Sequence, residues 1–505
     1  MTHDVVVCGA GPAGSVVARR LAAAGLRVAL VGAATRSGWE GLSSRSCGLL
    51  MEEGVERPGD VIAGPFARRG GWANGRSVEG AEWLVERAAL ADAVSARARE
   101  QGADYRADTV TGTARVGDHW RVALRGGEVL AAPMVVDARG RMARSSWIRS
   151  GGAKSSGALR SGTWSSEGQS SRPARSPPRD ESLSTELLRA APRRSGPVLL
   201  AIGQRFGRQT SSSWGTGIGV TDTGWCWWAE RGDALWVQII GKTRSLHPTD
   251  WVAAAAAQIP ALARVLEGAS AEGAPVARAA HAQLGAALRA ARVQPGGEQG
   301  SAAQADHELT FWLVGDAAMA LDPLSGQGVY EAIRGARLVA TAVQSVIEGG
   351  DARVAQRFVA ERREEAWLHG VRVAAGFYRE NESCGGFWTE TAAAYEALLP
   401  ERAEQRAAAV RVGSARIERR PVLDEGRILE RDVVVTAEHP RGVWRVAGVP
   451  LAALQGYLEA AEHASVDAAA VALDRTPAAV ASAMNWLRER GPLLQRELSR
   501  VSSGG

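Results

Sequence analysis

The sequence predicts an α/β protein: a Rossmann-type nucleotide-binding domain, a β-sheet domain and a small α+β domain at the C-terminal end. Three observations predict it. The apolar stretch Val5–Cys8 runs into the glycine-rich turn Gly9–Gly14 and then into a helical stretch. A second apolar stretch ends at Gly315-Asp316, and a long helical stretch follows from Val329 to Ile347. Between them, residues 224–240 contain alternating aromatic positions typical of paired strands.

Length and charge describe a globular protein of two or three domains. The chain has 505 residues, with 60 lysines and arginines against 55 aspartates and glutamates. Two of the basic residues are lysines, Lys154 and Lys242. Because no segment concentrates basic residues, a solvated arginine-rich surface is favoured over a nucleic-acid-binding face. We therefore expect no nucleic acid partner.

Cysteine spacing and the N-terminal segment indicate a cytoplasmic protein. Cys8, Cys47, Cys226 and Cys384 lie far apart and form no Cys-x-x-Cys pair, which argues against a zinc site and a disulfide framework. The first strand begins too early for a signal peptide, and no apolar run approaches membrane-spanning length. We expect neither a metal site nor a membrane partner.

The turn after the first strand reads GAGPAG, the Gly-x-Gly-x-x-Gly pattern of a dinucleotide-binding loop between a strand and a helix. Gly9 allows the tight turn, Gly11 lets the backbone approach a pyrophosphate, and Gly14 lets helix and strand pack closely. A helix is predicted to follow the turn over Ser15–Ala24, and its unpaired N–H groups face the phosphates. The sequence therefore predicts nucleotide binding here.

The second strand departs from this pattern at its end. It usually finishes in an acid that binds the ribose, but here Val31 is followed by Gly32. Ribose recognition must come from another residue, from the backbone or from water.

After the first two strands, the sequence predicts further strands and helices and one irregular segment. Glu82–Arg99 has apolar residues near helical spacing and predicts a helix. Trp120–Leu124 and Glu128–Val136 predict a hairpin that leads into a buried strand ending at Asp137. Residues 150–195 are rich in Ser, Arg, Gly and Pro without periodicity, which predicts a flexible insertion.

Residues 411–505 predict an added module. Short strands are followed by three helical stretches, Leu451–Glu462, Val466–Leu473 and Pro477–Arg490. This order is typical of a small winged-helix-like domain. Because the last helix has no cluster of basic residues, docking of a peptide or protein is favoured over DNA binding.

Taken in order, the motifs resemble those of flavoprotein monooxygenases of the aromatic-hydroxylase type, a superfamily that also contains geranylgeranyl reductases and flavin-dependent tryptophan halogenases. The resemblance covers roughly residues 4–390. Its motifs are the GAGPAG turn, Glu86-Arg87 at a helix start, Asp137-Ala138-Arg139-Gly140-Arg141, Gly315-Asp316, Pro323 and Gly326-Gln327-Gly328.

The resemblance implies an FAD cofactor and an FAD-binding set that spans the chain. The residues that it assigns to FAD are Gly9, Gly11, Pro12, Ala13, Gly14, Arg45, Arg87, Asp137, Gly315, Asp316, Pro323, Gly326, Gln327 and Gly328.

The resemblance also implies the reaction. In such proteins FAD is reduced by NAD(P)H or by a separate flavin reductase and reacts with O2 to give a C4a-hydroperoxide, which transfers oxygen to an electron-rich ring. We expect Trp225 and Trp227 to form pocket walls, and Glu40 or Glu230 to accept an indole N–H. The chain is thus predicted to be an FAD- and O2-dependent monooxygenase.

A narrower resemblance concerns the substrate. The stretches Trp39–Arg45 and Glu82–Arg87, the tryptophan-rich strands, Asp322–Gly328 and the C-terminal module look like the flavoprotein monooxygenases that mature quinone-cofactor amine dehydrogenases. Those enzymes hydroxylate a tryptophan of a peptide subunit on the way to cysteine tryptophylquinone. A Trp-containing peptide or protein substrate is implied, and such a substrate needs the larger surface that a docking domain adds.

These interpretations give a domain organisation. The FAD-binding domain comprises residues 1–150 and 296–350, and the substrate domain comprises 151–295, including the insertion. A helical cap over 351–410 and a C-terminal docking domain over 411–505 complete the chain.

Three other functions remain open. Tryptophan halogenases rely on a lysine between the dinucleotide turn and the middle of the chain, but no lysine precedes Lys154, and Lys242 follows the tryptophan-rich strands. Hydroxylation is therefore favoured over halogenation. A hydroxylase of small aromatic molecules is the second alternative. Outside enzymes, a flavin-binding regulator with a winged-helix reader is the third.

Overall fold

The computed structural model describes residues 3–33, 38–55, 61–72, 76–77, 80–142, 148–150, 194–208, 214–242, 248–285, 310–400, 415–436, 438–461 and 465–490. The predicted flexible insertion at 150–195 lies outside the described residues except at its two ends.

Helices occur in all parts of the described chain. They are α1 (Pro12–Ala23), α2 (Ser44–Glu52), α3 (Arg87–Glu100), α4 (Pro248–Gln258), α5 (Pro260–Leu266), α6 (Gly328–Ile347), α7 (Ala352–Glu380), α8 (Gly386–Glu396), α9 (Leu451–Ala460), α10 (Val466–Ala472) and α11 (Pro477–Arg490).

Strands occupy mainly the first two thirds of the chain. They are β1 (Val5–Cys8), β2 (Val28–Val31), β3 (Trp39–Leu42), β4 (Ile62–Trp72), β5 (Arg76–Ser77), β6 (Gly80–Glu86), β7 (Asp104–Arg106), β8 (Val110–Val116), β9 (His119–Leu124), β10 (Val129–Ala132), β11 (Met134–Asp137), β12 (Ile148–Ser150), β13 (Arg194–Ser195), β14 (Leu200–Arg208), β15 (Trp214–Thr221), β16 (Gly224–Arg231), β17 (Ala234–Gly241), β18 (Ala269–Ala279), β19 (Gln283–Leu284), β20 (Phe311–Leu313), β21 (Met319–Ala320), β22 (Arg416–Asp424), β23 (Arg427–Val435), β24 (Arg445–Val446) and β25 (Val449–Pro450).

The predicted Rossmann-type sheet is confirmed. Strands β20, β11, β1, β2 and β7 lie side by side in that order and run parallel. In β1, Val5 and Val7 pack into the core that contains α1 and α6, whereas Val6 and Cys8 pack against β9 and β10. Both faces are covered, which explains why every residue of this strand is apolar. The predicted hairpin β9–β10 leads into β11, as expected.

A larger, mostly antiparallel sheet has the strand order β18-β14-β17-β16-β15-β4-β6-β3. The tryptophan-rich strands β16 and β17 pair antiparallel near its middle, as predicted. Because side chains alternate along a strand, Trp225 and Trp227 pack into a core shared with α7 and α8. Cys226 and Trp228 pack on the opposite face, against α4 and α5.

The predicted helix over Glu82–Arg99 is wrong in its first part. Residues 80–86 form β6, and the helix α3 begins at Arg87. Trp83, Leu84 and Val85 are all buried, two in one core and one in another, and such aromatic and branched residues suit a strand covered on both faces. Glu86 ends the strand and caps the helix, since its side chain accepts the Ala89 N–H at 2.9 Å.

The C-terminal strands and helices also form where they were predicted. Hairpin β22–β23 packs on α6, where the Ile428 N–H donates to the Ser345 hydroxyl at 3.0 Å. Helices α9, α10 and α11 bury a separate core that includes Leu454, Val480 and Leu487. The winged-helix-like arrangement stays a prediction.

A buried carboxylate joins three helices. Glu53, directly after α2, is fully buried and forms ion pairs with Arg19 and Arg20 of α1 at 2.6 and 2.7 Å, and with Arg337 of α6 at 2.6 Å. Burial opposes ionisation of Glu53, but the hydrogen bonds from Arg20 and Arg19 outweigh it and hold its pKa below the usual value. Helices α1 and α6 are therefore tied to each other through one side chain.

None of the described helices is long and apolar enough to cross a membrane. Over the same residues, no group of three or more His, Cys, Asp or Glu side chains is arranged to hold a metal ion.

Candidate active site

Three of the predicted motifs meet at one edge of the parallel sheet. Cys8 pairs in register with Asp137, and Asp137 pairs with Leu313, so β1, β11 and β20 end side by side. The turn Gly9–Gly14, the segment after Asp137 and the Gly315-Asp316 turn therefore leave the sheet together. The carboxyl edge of a parallel sheet is where such folds bind their ligands.

Two glycines of the first turn exclude any side chain. Gly9 has φ +115°, and an added Cβ would lie 2.6 Å from the Ala138 carbonyl oxygen. At Gly14 an added Cβ would lie 1.9 Å from the Gly9 carbonyl oxygen. At Gly11, by contrast, the same position is open, with nothing within 4 Å. Gly9 and Gly14 thus shape the turn, and Gly11 leaves room beside it.

Two helices begin at this edge without side-chain caps. Gly11 precedes α1, which starts at Pro12, and Gln327 precedes α6. At neither position does a capping side chain accept a hydrogen bond from a backbone N–H of the first turn. The first N–H groups of both helices are therefore left for an anionic or polar ligand. Gly326, at φ +63°, and Gly328 have open space at the Cβ position. We call residues 9–14 and 326–328 the cofactor cradle.

Gly315 and Pro323 shape the link between the sheet and α6. Gly315 has φ +60°, and an added Cβ would lie 2.9 Å from the Ala13 Cβ, so this turn packs directly on the start of α1. Pro323 opens a short 3-10 turn, and the Asp322 carboxylate accepts the Leu324 N–H at 2.9 Å. The two halves of the cradle are held close together.

The two predicted acidic FAD residues each have an arginine partner. Asp137 is buried and pairs with Arg139 at 2.6 Å. Asp316 pairs with Arg141 at 3.3 Å, and its side chain is 40% exposed. Arg141 also donates to the Leu321 carbonyl at 3.2 Å. Asp137 therefore fixes its own loop, whereas Asp316 remains accessible at the edge of the cradle.

The predicted FAD arginines lie on neighbouring elements. Arg45, in the first turn of α2, donates to the Tyr330 hydroxyl at 3.1 Å and lies 4.7 Å from the centre of its ring, next to the start of α6. Arg87, the first residue of α3, pairs with Glu40 at 2.6 Å. Glu40 therefore lies at the start of α3, as the ion-pair partner of Arg87.

Gly32 is explained by packing. An added Cβ at this position would lie 2.2 Å from the Ala10 Cβ and 2.8 Å from its nitrogen. An acidic ribose-binding residue therefore cannot stand here without moving the glycine-rich turn. The Tyr105 hydroxyl donates to the Gly32 carbonyl at 3.2 Å and covers this strand end.

The residues present fit an FAD molecule. The open positions at Gly11, Gly326 and Gly328 lie at two uncapped helix starts on one sheet edge. Two such starts, with Arg45 beside the second one, suit a ligand that carries a pyrophosphate and a polar ring system.

One face of the large sheet is lined by tryptophans, and we call it the tryptophan face. Its indoles belong to Trp39, Trp72, Trp225, Trp227 and Trp236. Each of three indole N–H groups donates to a polar side chain. Trp72 donates to Glu380 at 3.0 Å, Trp225 to the Tyr378 hydroxyl at 3.3 Å and Trp227 to Glu82 at 3.1 Å.

Glu230 is not on the tryptophan face. By strand alternation it shares the opposite face with Trp228, and it pairs with Arg208 at 2.8 Å. The carboxylate that the structure brings to Trp227 is Glu82, on β6. An added Cβ at Gly41 would lie 2.0 Å from the second carboxylate oxygen of Glu82, so Gly41 leaves room for this group.

Asp322 connects the tryptophan face with the cofactor cradle. One of its carboxylate oxygens accepts the hydroxyls of Tyr395 and Tyr378, at 2.6 and 3.1 Å. The Tyr378 hydroxyl in turn accepts the Trp225 N–H. Burial raises the pKa of Asp322 to about 6, although the hydrogen bonds from Tyr395, Leu324 and Tyr378 favour the ionised form.

Sequence reasoning missed Glu82 as a functional candidate, and it considered Tyr378 and Tyr395 only as apolar residues that could close the substrate cavity, without their hydrogen bonds. Asp322 was noted only as part of a motif. No local pattern marks Glu82, since it lies in a segment that was predicted as a helix. The signal available for Asp322 was its place directly before Pro323, two positions after the short strand β21.

Comparisons with known proteins extend these observations. A family model described as lycopene cyclase protein matches residues 4–162, which is less than half of the chain. No curated protein matches the sequence.

Among solved structures, the chain is similar over its full length to the peptidyl tryptophan dihydroxylase QhpG, described as essential for tryptophylquinone cofactor biogenesis. The TM-score is 0.69 and the identity 25%, over 97% of this chain and 100% of that one. The flavin-dependent halogenase CmlS is similar with a TM-score of 0.60 and 15% identity, over 94% and 92% of the two chains.

A third similar structure is a mutant of the halogenase PltM in complex with FAD, with a TM-score of 0.54 and 13% identity over 82% and 81% of the two chains. The resemblance predicted from the motifs is confirmed. Over nearly its whole length, the chain has the fold of FAD-dependent halogenases and hydroxylases.

Proposed function

We propose that the chain is an FAD- and O2-dependent monooxygenase that hydroxylates the indole ring of a tryptophan in a peptide or protein, in the cytoplasm, during the biogenesis of a quinone cofactor. The observation that carries this proposal is the full-length similarity to QhpG, which includes the C-terminal module. NAD(P)H or a separate flavin reductase supplies the electrons.

Each part of the site has a role in this proposal. The cofactor cradle holds FAD, with Arg45, Arg87 and Asp316 at its edges. Reduced FAD, when bound, supplies the electrons with which O2 is split, so that one oxygen atom enters the ring and the other leaves as water.

The tryptophan face binds the substrate ring and excludes water from it. Trp225 and Trp227 form the walls of the proposed substrate pocket. Glu82 is the proposed acceptor for the substrate indole N–H, because its carboxylate already accepts an indole N–H from Trp227 on this face. Glu40, which pairs with Arg87, orients the cofactor side of the site instead.

The experiment compares substrates by mass spectrometry. The purified protein is incubated with a flavin reductase, NADH and O2, and with either free tryptophan or a Trp-containing peptide. The mass of one or two oxygen atoms on the peptide, and none on free tryptophan, is the expected result. Oxygen on free tryptophan alone would favour a hydroxylase of small aromatic molecules.

A matched pair of variants tests the polar group. Glu82→Gln removes the charge from the tryptophan face, and we expect at least about a tenfold loss of peptide hydroxylation with FAD retained. Glu230→Gln makes the same change on the opposite face, and we expect wild-type turnover. Loss of turnover in Glu230→Gln but not in Glu82→Gln would instead identify Glu230 as the acceptor.

Halogenation is the second candidate, since CmlS and PltM are halogenases. Lys242 is 40% exposed and pairs with Glu390 at 2.5 Å at the end of β17, and Lys154 lies outside the described residues. Adding bromide to the assay distinguishes the two reactions, because a brominated product would replace hydroxylation. A purified protein that carries no flavin and retards DNA in a gel-shift assay would instead support a role as a regulator.

A further inference from the structure

A cavity of about 250 Å³ lies between α6 and α7, behind the Gly315 turn. Its walls are largely apolar and include Leu338, Phe358 and Val359. Its lining residues belong to neither the cofactor cradle nor the tryptophan face, although Gly315 is among the residues predicted to bind FAD. The cavity is therefore separate from the proposed reaction site.

Arginines from both helices line this cavity, but the two helices differ in how their charges are balanced. On α6, Arg334 pairs with Glu331 at 3.0 Å, and Arg337 pairs with Glu52 and Glu53 at 2.6 Å. These cations already have carboxylate partners.

On α7, neither Arg362 nor Arg363 forms an ion pair within the described part of the chain, although the charges of Glu361 and Glu365 favour the charged form of Arg362 from a greater distance. Arg363 donates one hydrogen bond, to the Leu313 carbonyl at 2.9 Å, and Arg362 donates to the Phe358 carbonyl at 3.2 Å. Burial lowers the pKa of Arg363 to about 10, and burial together with the charge of Arg441 lowers that of Arg362 to about 10. Both groups stay charged at neutral pH.

A partly buried guanidinium without an ion-pair partner is unfavourable, because its removal from water is costly unless an opposite charge offsets it. A guanidinium has five N–H donors, and each of these two uses one of them on a backbone carbonyl. The remaining donors suit a carboxylate or phosphate, to which arginine binds in a bidentate manner.

We propose that this cavity is a binding site for a small organic anion, with an oxyanion head group held by Arg362 and Arg363 and an apolar body packed between α6 and α7. The site is independent of the proposed reaction. Its ligand contacts the back of the Gly315 turn, which packs on Ala13 of the cofactor cradle.

The test uses the full-length, FAD-loaded protein and three probes: octanoate, octanol and inorganic phosphate. We expect octanoate to raise the melting temperature saturably, by about 3 °C or more, with no loss of bound flavin absorbance. Octanol, which lacks the charge, gives no saturable shift. Phosphate, which lacks the apolar body, gives a smaller one.

Two variants and one control identify the site. Arg363→Met removes the head-group contact and abolishes the octanoate shift. Gly335→Leu fills the cavity, since Gly335 lines it with open space at its Cβ position, and also abolishes the shift while both arginines remain. Arg357→Met makes the same substitution on an exposed part of α7 and retains the shift.

Several outcomes would overturn the proposal. They are the absence of a saturable octanoate shift, an equal shift with octanol, a shift that survives Gly335→Leu, and release of FAD as octanoate is added. The last outcome would place the anion in the cofactor site. If Arg363→Met does not fold, Gly335→Leu alone decides.

Discussion

The cofactor cradle and the tryptophan face are built from different parts of the chain. The cradle is made of backbone, namely two uncapped helix starts and glycines without side chains, and its members are close together in sequence within each half. The tryptophan face is made of side chains from elements far apart, such as Trp227 and Glu82, which are 145 positions apart. Substitutions that add side-chain atoms should therefore disrupt the cradle most, whereas substitutions that remove side-chain atoms should disrupt the tryptophan face most.

The largest effect is expected from Gly14→Ala. Its Cβ would lie 1.9 Å from the Gly9 carbonyl oxygen, so the turn must move away from α1. We expect at least about a hundredfold weaker FAD binding and a protein that purifies colourless, because the pyrophosphate loop is displaced. Flavin absorbance and fluorescence titration measure this.

Two other glycines are the controls. Gly11→Ala meets no protein atom, so we expect wild-type melting of the FAD-free protein but weaker FAD binding. Gly48→Ala, in α2 and equally open, should leave FAD binding unchanged and slightly raise the melting temperature, because alanine favours a helix more than glycine does. Retention of FAD by Gly11→Ala would contradict the assignment of this turn to the cofactor.

Trp228→Ala tests the face opposite the tryptophan face. Trp228 is 4% exposed and lies against Gly217, where an added Cβ would be 2.1 Å from its ring. We expect the free energy of unfolding to fall by about 3–5 kcal/mol, as for other buried tryptophans. Urea denaturation checks this, with turnover per folded molecule unchanged. Trp214→Ala, at a 48% exposed position, should cost less than about 1 kcal/mol.

Asp322→Asn tests the link between the two regions through pH. The pKa of Asp322 is raised from 3.8 to about 6 in the folded protein, so between these values the folded state holds the proton more tightly than the unfolded state. Its contribution to the free energy of unfolding therefore falls as pH rises from about 4 to 6, by on the order of 2–3 kcal/mol, and is constant above.

The variant should lose this slope, which denaturation at a series of pH values measures. Glu390→Gln, at a surface ion pair, serves as the control and should keep it. An unchanged slope in Asp322→Asn would show that another group titrates.

The smallest effect is expected from Trp227→Phe. It removes the N–H that donates to Glu82 and should cost about 1 kcal/mol of stability. Trp120→Phe removes a comparable bond, to the Thr310 hydroxyl at 2.9 Å, in a different core. Equal losses of stability, with a raised KM for the peptide only in Trp227→Phe, would assign Trp227 to the substrate site. Equal KM values for the peptide in the two variants would show that Trp227 does not belong to the substrate site.

The same contrast explains what the sequence could predict. Gly9, Gly14 and Gly326 are recognisable because a tight turn followed by a helix start is a local property of the backbone. Strand alternation predicted the pairing of β16 with β17. It could not assign Trp225 and Trp228 to one side of the sheet or the other, because that depends on which helices cover each face.

The remaining site residues depend on contacts between distant elements. Tyr378 meets Trp225, 153 positions away, and Tyr395 meets Asp322, 73 positions away. Glu82 was hidden because the strand that contains it was predicted as part of a helix. Glu230 was proposed although strand alternation places it, three positions after Trp227, on the opposite face.

The buried Glu53 cluster has a consequence for cofactor exchange. Since α1 and α6 both begin at the cradle and both hold Glu53 by arginines, one carboxylate adds to their packing in a shared core and helps to fix their relative orientation. The pKa of Glu53 is depressed in the folded protein, so this cluster stabilises the fold above the ordinary glutamate range and is lost as pH falls through the folded value. Acid should therefore release FAD by uncoupling the two helices while the sheets persist, and return to neutral pH should let the same protein be reloaded with a modified flavin.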